Sequence, residues 1–206
     1  MSAPVEESWD RIEKWLHATA PAAAERLSPP ASAAAVGAAE TTVGLPFPPD
    51  LVASLRRHDG VTPYGRDRFL LPPHWILVSL EYCVETWRRY TDELNHRQAT
   101  EIESMDGEDE DAWSEPEEDE DAFWGWSPGW FPIAADGTGC HLLVELRPGP
   151  RYGAVGSLVP DTGPSFEGFG TWSSVAALLA DTAAALAGDS PQWTVEFTEH
   201  GPGWAW

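Results

Sequence analysis

The chain has 206 residues, a length that allows one hydrophobic core with at most an appendage. Its hydrophobic fraction of 42% lies close to the globular norm, and its formal net charge of −22 opposes binding to nucleic acid or to anionic lipid. The most apolar stretch, residues 174–188, is too short to cross a bilayer, and no signal-peptide pattern opens the sequence. The two cysteines, Cys83 and Cys140, fit buried thiols better than a disulfide. We therefore expect a cytoplasmic protein.

The N-terminal third is predicted to be helical. A first amphipathic helix should end before Pro21, because one apolar face recurs at helical spacing in Val5, Trp9, Ile12 and Leu16. A second helix is predicted to run from the capping residue Ser32 to Val43, and Gly44 is placed to end it.

A third helix and two short strands follow. The helix is predicted to begin at Pro49 and to end at Gly60. Residues 69–71 and 75–78 have the composition of short strands. Ser79 is placed to cap a further helix, whose apolar side carries Val84, Trp87, Thr91 and Leu94.

The middle of the chain is dominated by acidic residues. The region from about 99 to 122 lacks periodicity and is mostly acidic, so we expect a disordered, solvated insertion. Fifteen Asp and Glu residues, and no Lys or Arg, lie between Arg97 and Arg147. This charge favours a basic protein as partner.

Strands are predicted to resume after the insertion. Residues 130–133, 141–146 and 152–159 alternate with turn sequences, among them Asp136-Gly137-Thr138-Gly139, which suggests an antiparallel meander. A last helix should open at 172–173, and its inner side should carry Val175, Leu178, Leu179, Thr182 and Leu186.

These elements predict an α+β fold with a single domain over residues 1–190. The sheet should be mostly antiparallel, with helices packed on one face. In the tail, residues 188–206, the alternation of Trp193, Val195 and Phe197 suggests an added edge strand.

The acidic insertion and its flanking tryptophans are the predicted partner-binding site. Aromatic side chains beside concentrated charge form a plausible binding hot spot with an electrostatic rim. The alternative is a solvated loop that keeps the protein soluble, with Trp124 to Trp130 starting the core sheet. The proposed contact residues are Asp106, Glu108, Asp109, Glu110, Asp111, Trp113, Glu117, Glu118, Asp119, Glu120, Asp121, Trp124 and Trp126.

No catalytic or metal site is predicted. The six histidines show no metal-ligand spacing, and residues 106–111 lack the ligand order of a calcium loop. Cys140 and His141 are adjacent in a predicted strand, so their side chains point to opposite faces and cannot pair as nucleophile and base. We expect no cofactor.

The order of these pieces resembles the Smi/Knr-type cell-wall-regulator family of the SUKH superfamily. The matching segments begin with the Trp9–Leu16 helix and Gly44-Leu45-Pro46-Phe47-Pro48-Pro49-Asp50-Leu51. They continue with His58-Asp59-Gly60, Leu77-Val78-Ser79-Leu80-Glu81, Trp130-Phe131-Pro132-Ile133-Ala134, Asp136-Gly137-Thr138-Gly139 and Val144-Glu145-Leu146-Arg147-Pro148-Gly149. The chain departs from the family pattern in its acidic insertion and in Glu145, where an aspartate is expected.

The resemblance implies an α+β fold without catalytic activity, and it implies two settings. Bacterial members are commonly immunity proteins of polymorphic toxin systems, which bind and block a toxin that is often a nuclease. Fungal members act as interaction hubs in cell-wall and stress signalling. We therefore expect an immunity protein that neutralises a basic toxin, with an intracellular interaction or scaffold protein as the alternative. The oligomeric state is left open.

Overall fold

A computed structural model describes residues 4–62, 70–105, 125–198 and 201–205. In that part of the chain the helices are α1 (Val5–Thr19), α2 (Pro21–Ala24), α3 (Ala33–Val43), α4 (Pro49–Leu55), α5 (Leu80–Met105) and α6 (Val175–Leu186). The strands are β1 (Ile76–Leu77), β2 (Trp130–Ala135), β3 (His141–Glu145), β4 (Val155–Val159), β5 (Gly163–Ser165), β6 (Thr194–Thr198) and β7 (Gly201–Ala205). Strands β1 to β5 form one antiparallel sheet in chain order. The predicted α+β class and the meander are confirmed.

Helix α1 buries its predicted apolar face, which consists of Val5, Trp9, Ile12 and Leu16. This face packs against α6 and α4. The indole nitrogen of Trp9 donates a hydrogen bond to Ser54 Oγ in α4 at 3.2 Å, so the ring is fixed at both its apolar and its polar end. The short helix α2, which begins at Pro21, was not predicted.

Three of the four predicted boundaries of α3 and α4 are correct, including the start of α4 at Pro49. Ser32 Oγ accepts a hydrogen bond from Ala35 N at 3.0 Å at the start of α3, and Gly44 ends that helix with φ 76°. The predicted end of α4 at Gly60 is wrong, because the helix stops at Leu55. Asp59 and Gly60 instead contact the start of α5 and the segment that precedes it. Asp59 Oδ1 accepts a hydrogen bond from Leu80 N at 2.6 Å, and a Cβ at Gly60 would lie 2.5 Å from the carbonyl carbon of Val78.

The predicted strands before α5 are mostly too long. Leu71 forms only an isolated bridge with Trp75, Phe69 lies outside the described residues, and 75–78 contributes the two residues of β1. Helix α5 starts as predicted after Ser79, whose Oγ accepts a hydrogen bond from Tyr82 N at 3.3 Å.

The insertion was predicted to begin near residue 99, but α5 continues through residue 105. Residues 99–105 include Ala, Glu, Ile and Met, and most of these residue types tolerate or favour a helix even where acids break the apolar periodicity. The rest of the predicted insertion, 106–122, lies outside the described residues.

The centre of the sheet is formed by β2, β3 and β4. Every residue of β2 and β3 is buried, so side chains on both faces of these strands are covered. Asp136 builds the predicted turn between them, because its Oδ1 accepts hydrogen bonds from Thr138 N at 2.7 Å and from Cys140 N at 3.1 Å. Strand β4 starts at Val155, three residues later than predicted. Tyr152 lies in the preceding turn, where its backbone amide donates a hydrogen bond to Gly149 O.

Helix α6 begins at Val175 under the cap of Ser174, and its predicted inner face is buried. The edge-strand prediction for the tail is wrong. The tail strands β6 and β7 pair with each other, in a two-stranded sheet separate from the main one. Trp193 anchors them, because its indole nitrogen donates to Asp181 Oδ2 in α6 at 2.9 Å, and the same oxygen accepts from Trp172 Nε1 at 3.0 Å.

Candidate protein-binding site

The predicted partner-binding residues lie outside the described part of the chain, with the exception of Trp126. Trp126 is only 7% exposed. Its indole nitrogen donates a hydrogen bond to Thr91 Oγ1 at 3.3 Å, and its ring centroid lies 5.0 Å from that of Tyr90 and 6.1 Å from that of Trp130. A ring packed in this way offers little area to a partner. We therefore withdraw Trp126 from the predicted contact residues, and the others stay a prediction.

Two described anchors frame the acidic run in space. The chain leaves the described structure at the end of α5, after Met105, and re-enters it at Gly125, next to Trp126. Because Trp126 bonds to Thr91, the two anchors are separated by 14 residues of α5, or about 21 Å at the helical rise per residue. No residue from 91 to 100 is buried, whereas Tyr90 is. Beyond Tyr90, α5 is therefore only partly covered, with Leu94 still packed against the core.

The carboxylate of Glu145 is buried at the C-terminal end of β3. Its Oε2 accepts a hydrogen bond from Trp130 Nε1 at 3.0 Å, and its Oε1 accepts from Arg147 Nε at 2.8 Å and from Arg147 N at 3.0 Å. Burial by itself would raise the pKa of Glu145, but the hydrogen bonds from Arg147 and Trp130 hold it below its usual value. Glu145 thus fixes the end of β3 against β2, which is a structural task.

The thiols and the buried imidazole are poorly suited to catalysis. Burial raises the pKa of both Cys83 and Cys140, so neither thiol is activated as a nucleophile. His141 is buried, its Nδ1 lies 3.3 Å from Tyr90 Oη, and burial lowers its pKa to about 4. Across the described ranges, no cluster of three His, Cys, Asp or Glu side chains is arranged to hold a metal ion.

Sequence reasoning missed an exposed aromatic surface, here called the aromatic loop surface and defined by Tyr152 and Phe169. The ring of Phe169 is 61% exposed and Tyr152 is 37% exposed, and they are the exposed large hydrophobic residues of the described chain. The available signal was an aromatic residue between two glycines, Gly168 and Gly170, which adopt φ values of 87° and 75°.

An α+β scaffold with an exposed aromatic surface, whose thiols and buried imidazole are poorly suited to catalysis, fits the class of protein-interaction domains. Residues 30–181 match the sequence pattern of the SMI1 / KNR4 family (SUKH-1), and the chain belongs to that family. The family is generally non-catalytic.

A fungal protein is similar to most of the chain. It is the cell wall biosynthesis/cell cycle regulator smi1 of Schizosaccharomyces pombe, which is 27% identical over 183 residues. The match includes 86% of this chain and 36% of the fungal protein, so the chain spans about a third of its relative's length. Among the described residues, no helix combines the length and the apolar character needed to cross a membrane.

Proposed function

We propose that this chain is a cytoplasmic immunity protein that binds a basic, nuclease-type toxin and neutralises it by occlusion, in a bacterial polymorphic toxin system. The observation that carries the proposal is the distribution of charge. Thirteen acidic residues lie between Glu101 and Asp121, and the whole interval from Arg97 to Arg147 lacks Lys and Arg. A nucleic-acid-binding toxin needs a basic surface, and a dense acidic segment competes for that surface.

The position of α5 supports the proposal. No residue from 91 to 100 is buried, so the helix that leads into the acidic run has left the buried core before the run begins. We infer that a large partner can bind the acids without disturbing the core. Binding at Asp106 to Asp121 and at Trp113 and Trp124 needs no catalytic group, which agrees with the chemistry of the thiols and of His141.

The second candidate is an intracellular interaction or scaffold protein without a toxin partner. The name of the fungal relative, a cell wall biosynthesis and cell cycle regulator, favours this reading. In this case the single domain proposed for residues 1–190 would serve as a binding module for several proteins. Weak affinities for several partners distinguish a scaffold from an immunity protein, which binds one toxin tightly.

The deciding experiment is a nuclease assay. The protein that copurifies with this chain from its native host is identified by mass spectrometry, purified alone, and tested for nuclease activity with increasing amounts of the chain. Loss of activity at a one-to-one ratio is the expected result. A set of partners without toxic activity would favour the scaffold reading.

A further inference from the structure

The aromatic loop surface is constructed from two loops that are held together. Arg151 Nη2 donates to Glu167 Oε1 at 2.6 Å, which joins the loop of Tyr152 to the loop of Phe169. Behind them, Val155 and Trp172 exchange backbone hydrogen bonds at 2.8 and 2.9 Å. The two exposed aromatic residues therefore belong to one surface.

Each exposed ring is held in place from below. The ring centroid of Phe169 lies 4.7 Å from that of Trp193, which is 2% exposed and is fixed through its indole nitrogen to Asp181. Tyr152 Oη donates to Pro46 O at 3.4 Å. Most exposed side chains lose rotamer freedom when a partner binds, and that loss is reduced for rings that are already fixed.

Acidic groups lie near Tyr152 and on the loop of Phe169. Glu40 and Asp50 lie close enough to Tyr152 to contribute to the rise in the pKa of its hydroxyl, behind the larger effect of burial. Glu40 Oε1 accepts a hydrogen bond from Phe47 N at 2.8 Å, and Asp50 Oδ2 accepts one from Ala176 N at 3.0 Å. These hydrogen bonds fix the positions of the two carboxylates. Glu167, on the loop of Phe169, is a third carboxylate at this surface, and it is paired with Arg151.

We propose that the aromatic loop surface is a second docking site that takes an arginine-bearing segment of a basic protein. An arginine guanidinium stacks on an aromatic face and pairs with carboxylates, and both groups are present here in fixed positions. The residues of this surface do not belong to the acidic run, so this inference goes beyond the proposed function. It does not require that the partner be a toxin.

The probe is a short peptide of alternating glycine and arginine, with matched glycine–lysine and glycine–glutamine peptides as controls. It is titrated into the full chain labelled with ¹⁵N, and amide shifts resolve this surface from the acidic run. We expect shifts at Gly168, Phe169 and Tyr152 that are larger for arginine than for lysine and absent for glutamine. Shifts that spare these three residues would overturn the proposal, as would equal responses to all three peptides.

Two substitutions at position 169 separate aromatic stacking from general apolar contact. A cation–π contact at an exposed site contributes enough that Phe169→Ala and Phe169→Leu should both weaken arginine-peptide binding at this surface about two- to fivefold. Tyr152→Phe, which keeps the ring, should bind as the wild type does, and the indole signal of Trp193 reports whether each variant is folded. Wild-type affinity in Phe169→Leu would show that the ring face is not used and would contradict the proposal.

Discussion

Trp9 is the residue at which the core is expected to be most sensitive. Its side chain is fully buried, donates to Ser54 Oγ at 3.2 Å and touches the edge of the His58 ring at a centroid distance of 4.9 Å. Truncation would leave a cavity the size of an indole and would leave the buried Ser54 hydroxyl without its hydrogen bond. Both effects lower the free energy of unfolding.

We predict that Trp9→Ala lowers the free energy of unfolding by about 3–5 kcal/mol and Ile12→Ala by about 2–5 kcal/mol. Lys14→Ala, at an exposed position of the same helix, is the matched control and should change it by less than about 0.5 kcal/mol. Urea unfolding measures all three. Losses under about 0.5 kcal/mol for both core variants would place the apolar face of α1 elsewhere.

His141 makes stability depend on pH. Its pKa falls from an ordinary 6.5 to about 4, because burial opposes the charged form and Arg89 lies nearby. Between about pH 6.5 and pH 4, His141 is protonated in the unfolded chain but stays neutral in the folded chain. The stabilisation is therefore complete above pH 6.5 and is lost as the pH falls towards 4, by about 3 kcal/mol in total.

The test is to measure unfolding free energy between pH 7 and pH 4 for the wild type, for His141→Gln and for His96→Gln. His141→Gln should flatten the dependence in this interval even if it lowers stability throughout, whereas the exposed His96 should leave the slope as it is. An unchanged slope in His141→Gln would assign the dependence to other groups.

Helix α5 is the element that connects the core to the acidic run. Its start is set by Asp59 and Ser79, whose side chains accept from Leu80 N and Tyr82 N, and its first part buries Cys83, Trp87 and Tyr90. The composition of residues 106–121 offers little apolar area to bury, so we expect the core to form without them.

We predict that replacing residues 106–121 by a Gly/Ser linker of equal length leaves a cooperative thermal transition. The replacement starts at 106 rather than at 101, so that α5 keeps its full length. Relief of repulsion among the acids is expected to raise the midpoint slightly. Differential scanning calorimetry checks this, and a broad or absent transition would show that the segment is structural.

Element starts were easier to predict from sequence than element ends. Ser32, Ser79 and the Pro49 and Asp50 pair carry local capping signals, and each marks a helix start correctly. Ends were less regular, because Gly44 marks the end of α3 correctly whereas the end of α4 was missed. Helix α4 stops at Leu55, and Asp59 beyond it accepts a hydrogen bond from Leu80 N, a long-range contact that no local signal near Gly60 reveals.

The tail and the site were least accessible to sequence reasoning. Alternation in Trp193 to Phe197 identifies a strand but not its partner, which turned out to be β7. The burial of Trp126 depends on Tyr90 and Thr91, which precede it by more than thirty residues, and the charged neighbours that suggested exposure were misleading.

At the scale of the whole molecule, the concentration of negative charge determines how a partner arrives. Steering by such a patch raises association rates from about 10⁵–10⁶ towards about 10⁸ M⁻¹s⁻¹ at low salt. The effect fades as the Debye length shrinks from about 10 Å at 0.1 M to about 3 Å at 1 M salt. Dissociation depends on short-range contacts, which salt affects less.

We predict that neutralising Glu117 and Glu118 slows association with the basic partner at low salt more than it speeds dissociation. Neutralising Glu6 and Glu7 on α1 removes the same charge from another face and should have a smaller effect. Trp113→Ala and Trp124→Ala should mainly speed dissociation. Stopped-flow kinetics at several salt concentrations decide between these outcomes. Association rates indifferent to salt and to the acidic substitutions would leave the acidic run as a means of solubility.

The two indole hydrogen bonds to Asp181 have a consequence for how the protein is divided. The family match ends at residue 181, so the similarity boundary falls on the very carboxylate that holds Trp193 of the tail. Trimming the chain at that boundary would delete Trp193 together with the last five residues of α6, and would thereby remove the buried ring that packs beneath Phe169. The tail hairpin belongs to the same folding unit as the family core. Any fragment designed for expression, display or fusion should therefore retain the chain through Ala205.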